Sequence, residues 1–126
     1  MLKQWRVDAL IPAADYERAK AWYKEKLDLE PTEDDPQGAW YQCAEGSGFS
    51  IYPSQFAGTG KQTVMGWQVP DVEVEMKELR DRGVTFEEYD LPGIKTVNVI
   101  AELGPEKGCW FKDSEGNTLS LFQRGK

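Results

Sequence analysis

One order of elements occurs twice in this chain, and that repetition restricts the fold more than any other feature. The stretch "WRVDALIPAADYERAKAWYKEKLDLEP", Trp5 to Pro31, begins with apolar alternation at Val7, Ala9 and Ile11, turns at Pro12 and continues as a helix. Asp15 is the expected N-cap, and Ala19, Trp22, Tyr23 and Leu27 recur on one face at helical spacing. Two aromatic-rich runs in "GAWYQCAEGSGFSIYPS" then predict a hairpin with a Gly-containing loop. The second half repeats the order, with a strand over Thr63 to Val69, Asp71 as cap, and a helix through Val72, Met76 and Leu79. Gly83 stands where a left-handed C-terminal residue belongs. "KTVNVIAEL", "GCWFKD" and "TLSLFQ" supply three more strands, the last two joined by "DSEGN", where Gly116 and Asn117 tolerate positive φ.

Aligning Asp15 with Asp71, and "FSIY" (Phe49 to Tyr52) with "LSLF" (Leu119 to Phe122), brings the halves into register. The second copy carries extra residues around "LPGIKTVNVIAELGPEKG". The expectation is an α+β chain of two tandem strand–helix–strands modules, over about residues 1–54 and 63–126, joined by a linker at about 55–62. The alternative is one irregular α+β domain. Pro and two Gly in "YPSQFAGTGKQ" predict a mobile linker with Phe56 as its one large apolar residue, and "DLPGIKT", Asp90 to Thr96, is a candidate lid.

At 126 residues, with 40% hydrophobic and 12% aromatic content, the chain can bury one core and is too short for two conventional domains. Its formal charge of -7 repels polyanions, so no nucleic-acid partner is expected, and "EDD", Glu33 to Asp35, is expected to be a solvated loop. No segment reaches the roughly 20 apolar residues of a membrane span, and the N-terminal stretch lacks the apolar run of a signal peptide. No membrane partner is expected, and a cytoplasmic protein is the simplest expectation. Cys43 and Cys109 are then expected to be reduced and packed as small apolar residues. With no histidine in the chain, these two thiols make a poor zinc set and lack the usual activating base. No phosphate loop, dinucleotide fingerprint or nucleophile elbow occurs, so no cofactor is expected.

Taken together, "IPAADYERAKAWYKEKLDLEP", "VPDVEVEMKELRDRGVTF" and "WFKDSEGNTLSLFQ" resemble the vicinal oxygen chelate superfamily, which includes glyoxalase, bleomycin-resistance and extradiol dioxygenase proteins. The resemblance covers nearly the whole chain. It implies paired βαβββ modules with curved mixed sheets around a shared cleft, frequently in a homodimer. Metal-using members carry His or Glu at four cleft positions. The resemblance maps these onto Asp8, Val64, Ser120 and, through the internal register, Ser50. Three neutral residues and one carboxylate do not make a tight divalent site, so no metal is expected.

Strand parity supports the same face. If Val7, Ala9, Ile11, Phe49, Ile51, Leu119 and Leu121 face the helices, Asp8, Leu10, Ser50, Tyr52, Ser120 and Phe122 face away. That second set mixes aromatics with sparse polar groups, as small-molecule pockets do, although Tyr52 and Phe122 could equally fill a dry interface. The candidate ligand contacts are Asp8, Tyr41, Ser50, Tyr52, Val64, Trp110, Ser120 and Phe122, with Trp40 also near the cleft; Trp22 and Trp67 are expected in the core. Asp8 is open to two roles: a desolvated acid or base, or the partner of a cation such as Arg6 or Lys95. The leading expectation is a metal-independent protein that binds a planar or aromatic small molecule, as bleomycin-resistance proteins do. A metal-independent lyase or isomerase using Asp8, with Tyr41 or Tyr52 orienting the substrate, is the alternative. A metal-dependent lyase or dioxygenase would need unusual ligands such as Glu88 or Glu102.

Overall fold

The computed structural model describes residues 1–124. In the first half, β1 (Ala9–Ala13) is followed by α1 (Tyr16–Leu27) and by β2 (Glu33–Asp35), β3 (Gly38–Gln42) and β4 (Gly48–Pro53). In the second, β5 (Thr63–Gln68) and α2 (Val72–Asp81) precede β6 (Asp90–Leu91), β7 (Ile94–Val97), β8 (Ile100–Leu103), β9 (Glu106–Lys112) and β10 (Thr118–Gln123). The architecture is α+β, with one four-stranded sheet ordered β1-β4-β3-β2 and one six-stranded sheet ordered β5-β10-β9-β8-β7-β6. Each half closes its strand–helix–strand step with a parallel pair, β1 on β4 and β5 on β10, and the remaining pairs are antiparallel. The two sheets approach along β1 and β5 and neither closes into a barrel.

Both helices begin as expected. The Asp15 carboxylate accepts from the Arg18 amide at 3.0 Å, and the Asp71 carboxylate accepts from the Glu73 and Val74 amides at 2.9 and 3.3 Å. Ala19 and Tyr23, one helical turn apart, are the buried residues of α1; Val72 and Met76 are those of α2. Opposite them lie Ile11, Ala13, Ala39, Phe49, Ile51, Cys109, Phe111, Leu119 and Leu121, which join the helices in one core spanning both halves. Aromatic contacts bridge the halves: Trp22 stacks on Phe111 at 6.4 Å, and Phe49 meets Trp67 edge-on at 6.1 Å. Lys26 Nζ donates to the Arg82 carbonyl at 2.9 Å, where the end of α2 presents negative partial charge.

Several expectations are corrected. "EDD" is an exposed edge strand, not a loop, and its charges suit an edge that must not pair further. Val7 precedes β1 and is exposed instead of facing the helices. "KTVNVIAEL" is two strands, because Asn98 and Val99 both adopt positive φ, at 53° and 63°, and fold the run into a hairpin. The segment offered as a lid, Asp90 to Thr96, holds the β6–β7 hairpin and extends the sheet. The linker is pinned at Gly58, whose amide donates to Asn117 Oδ1 at 3.3 Å.

The "DSEGN" segment is the most consequential difference. It was expected as a plain polar turn, yet Asp113, Glu115 and Asn117 are all buried. Asp113 Oδ1 accepts from the amides of Glu115 and Asn117, and its Oδ2 accepts from Tyr23 Oη at 2.7 Å and Asn117 Nδ2 at 3.0 Å. Asn117 Nδ2 also donates to the Pro12 carbonyl at 2.8 Å. The Glu115 carboxylate accepts from the Asp15 amide at 2.8 Å, from Arg18 at 2.8 and 3.1 Å, and from Ser114 Oγ at 2.8 Å. This turn of the second half therefore clasps β1 and the start of α1. A buried group with all its acceptors used stabilises one relative placement of the two halves, since any other leaves the charge unpaired.

Candidate functional site

Strand parity divides each sheet into a helix-packed face and an open face, and the candidate residues sort between them. Ser50 pairs with Leu10 and with Trp40, and Ser120 pairs with Gly66 and with Trp110. These residues, with Tyr52, Phe122 and Val64, share the parity opposite to the core positions Phe49, Ile51, Leu119 and Leu121. Leu10 is 66% exposed and Trp40 is 40% exposed; Tyr52, Val64, Ser120 and Phe122 are half-buried, and Ser50 and Trp110 are buried. Trp110 is covered by Tyr89, whose ring meets it edge-on at 5.5 Å. Gly66 is a spacing device on this face. A β-carbon there would sit 2.3 Å from Ser120 Oγ and 3.6 Å from the Phe122 ring, so glycine is what lets both side chains lean across β5.

Tyr41 does not share this face, which corrects its place among the ligand contacts. One residue beyond Trp40, it has the opposite parity and lies wholly in the core, stacked on Phe49 at 4.7 Å and 6.0 Å from Tyr23. Among the described residues its hydroxyl has no hydrogen-bond partner, and burial pushes the phenol up to about 12. It has no route to a substrate. Cys109 is likewise core, and burial pushes its thiol up to about 11, which makes it inert.

Asp8 lies just before β1 at the margin of the open face. Arg6 Nε lies 2.9 Å from one carboxylate oxygen and 3.0 Å from the other, and the Asp8 side chain is 8% exposed. Of the two cations named as possible partners, Arg6 is the one that pairs. The signal was present in the sequence, because residues two apart on an extended strand project to the same side. The pair lies over Gly48, where a β-carbon would come within 2.5 Å of the Arg6 guanidinium and 3.3 Å of the Asp8 carboxylate. From there Arg6 also reaches over the Trp40 ring, with its guanidinium carbon 5.8 Å from the centroid. Arg6, Thr32, Glu33, Trp40 and Gln42 line a shallow pocket of about 260 Å³. Sequence reasoning gave Arg6 no role in that pocket.

Asp8, Ser50, Ser120 and Val64, the positions onto which the resemblance maps a metal site, offer an ion-paired carboxylate, two hydroxyls and an isopropyl group. That donor set does not fit a divalent cation, which needs several free anionic or imidazole ligands. Among the described residues, no three Asp, Glu or Cys side chains converge elsewhere. A larger groove, about 820 Å³, lies apart from this face, between α2 and β7–β9, and is lined largely by charged side chains.

No protein-family model matches the sequence. No curated protein matches it either. Solved structures do match in three dimensions. The glyoxalase family protein from Enterococcus faecalis superposes with a TM-score of 0.71 at 18% identity, over 97% of this chain and 99% of that one. The glyoxalase/bleomycin resistance protein from Catenulispora acidiphila DSM 44928 gives 0.66 at 22% identity, over 94% and 96%. TnmS3, described as an antibiotic binding protein from Streptomyces sp. CB03234, gives 0.60 at 23% identity, over 96% and 98%. The chain therefore shares the fold of these glyoxalase and glyoxalase/bleomycin resistance proteins along essentially its full described length.

Proposed function

We propose that this chain is a small-molecule-binding protein that holds a planar or aromatic compound on the open sheet face and does so without a metal ion. The observation that carries this reading is the composition of that face. Trp40, Tyr52 and Phe122 offer ring surfaces, Ser50 and Ser120 offer hydroxyls, and the one carboxylate, Asp8, is occupied by Arg6. Aromatic walls with few polar groups suit a ligand recognised by stacking and one or two hydrogen bonds. The pocket under Arg6 and Trp40 adds a second ring surface beside a guanidinium already paired with Asp8, with Glu33 also in the lining, so an uncharged planar ligand is favoured there. An antibiotic-binding protein of the same fold supports this class of ligand.

Both oxygens of Asp8 lie within reach of Arg6, which supports a positioning role for Asp8 over proton transfer. Trp5, Val7, Leu10 and Trp40 are exposed on or beside this face, and a second copy of the chain would cover them. The proposed working state is thus a cytoplasmic homodimer with the ligand between protomers.

The test is a titration of planar aromatic and heteroaromatic compounds, followed by tryptophan fluorescence and calorimetry. Trp40→Ala and Phe122→Ala should each weaken a hit about tenfold, the loss expected for removing one stacked ring. Chelator should leave binding unchanged. A ligand that binds only with added divalent ion, or equally well to both variants, would overturn the proposal.

A further inference from the structure

We infer that the chain carries a second ligand site, on the helix side of the sheets, which takes a small hydrophobic amine. A cavity of about 320 Å³ lies where the two halves meet, and it opens to solvent. Leu29 follows α1 on one side, Leu79 of α2 and Trp67 of β5 form the other, and Phe111 of β9 is the floor. These four side chains belong to or pack against the core, whereas Gln42 lines both this cavity and the shallow pocket beside Arg6 and Trp40, so the two sites adjoin at the end of β3. Its walls and the ligand charge it selects differ from those of the preceding proposal, so either site can fail without the other.

Its size and walls define the occupant. An apolar cavity of about 150 Å³ is enough to hold benzene, so roughly twice that volume accepts one ring with a short side chain or a fused bicycle. Wall atoms facing a void lose dispersion partners, and an apolar guest restores them. The polar group that selects the guest is Glu75. It is half-buried in the cavity wall and, among the described residues, its carboxylate makes no hydrogen bond or ion pair. Its neighbours on α2 are engaged elsewhere: Glu73 lies 3.9 Å from Lys107, and Lys77 is paired with Asp81 at 3.0 Å. A carboxylate drawn partly out of water beside an apolar hollow is completed by a cationic N–H donor attached to an apolar body. The formal charge of -7 favours the approach of such a cation and disfavours anionic analogues.

Cys43 provides the readout. It lines the same cavity and is half-buried, whereas Cys109 is fully buried and serves as an unreactive control within the same molecule. The experiment measures iodoacetamide alkylation of each thiol by mass spectrometry in the full chain, with 2-phenylethylamine, 2-phenylethanol or phenylacetate added. The amine should slow Cys43 alkylation saturably, by fivefold or more, with the alcohol weaker and phenylacetate inactive. Glu75→Gln should raise the half-protecting amine concentration about tenfold, as expected for losing one charge-assisted hydrogen bond, and make amine and alcohol alike. Leu79→Trp, which fills the cavity, should abolish protection, with circular dichroism confirming that the variant is folded; should it not fold, Glu75→Gln decides alone. Tyr52→Ala, on the open face and lining neither pocket, should change nothing. Absence of saturable protection by the amine, equal protection by phenylacetate, or an unchanged response in Glu75→Gln would overturn the inference.

Discussion

Replacing Glu115 by Gln tests whether the turn between β9 and β10 holds the two halves together. The wild-type carboxylate has no exposed side-chain surface and accepts four hydrogen bonds, two from Arg18 and one each from the Asp15 amide and Ser114. Burial alone would push its carboxyl up, but Arg18, the Asp15 amide and Ser114 more than offset this and hold it down to about 2. Glutamine keeps the shape and one acceptor oxygen, yet turns an N–H group toward donors and removes the charge opposite Arg18. Hydrogen bonds to a charged group contribute about 1.5–3 kcal/mol each, but the Arg18 side chain is 55% exposed and rehydrates when released. The net loss expected at pH 7 is therefore about 2 kcal/mol, or a fall in Tm of about 6–10 °C for a chain of this size. Because the folded-state value is depressed, the contribution is fully present above the ordinary glutamate value and disappears as pH falls through about 2. The stability gap between wild type and Glu115→Gln, measured by urea unfolding from pH 7 downward, should accordingly close below about pH 4.5. Other carboxylates titrate in both proteins and cancel in the difference. A gap under 0.5 kcal/mol at pH 7, or one that stays constant to pH 2, would refute the clasp.

Three further substitutions probe other parts of the structure. Tyr41→Phe removes a buried hydroxyl with no partner, so stability in urea should be unchanged or rise by up to about 1 kcal/mol; a loss of that size would reveal a function for the hydroxyl. Gly58→Ala should destabilise by about 2 kcal/mol, because φ is +69° and the new β-carbon would meet the Glu115 carbonyl oxygen at 2.6 Å; a neutral result would show that the linker is not pinned. Asn98→Gly should stabilise by up to about 0.5 kcal/mol, since φ is 53° at this exposed turn position and glycine escapes the left-handed penalty without losing core packing. No gain in thermal unfolding would mean that the β7–β8 turn relaxes in solution.

Local rules were enough to read much of the fold. Asp15 and Asp71 before helical runs, Ala19 with Tyr23, and the alternation through "FSIY" and "LSLF" each need only neighbouring residues, and each leads to the observed element. The β7–β8 hairpin was illegible for the same reason. Its turn contains no glycine, and Val99 adopts a conformation that its own chemistry disfavours. At the candidate site, parity placed Ser50, Tyr52, Ser120 and Phe122 on one face, whereas Tyr41 was misplaced because the phase of β3 was not carried through from Ala39 and Trp40.

By itself the sequence determined the repeated order of elements, their caps and the two faces of each strand, because all of these depend on contacts a few residues apart. Tertiary structure alone decided that Asp113, Glu115 and Asn117 would be buried partners of Pro12, Asp15, Arg18 and Tyr23. It also decided that Glu75 and Cys43 would share a hollow with Trp67 and Phe111. Those juxtapositions join residues from opposite ends or separate elements of the chain, and no local propensity encodes them. They follow from packing two modules on one core, which brings distant polar groups out of water and requires them to find each other.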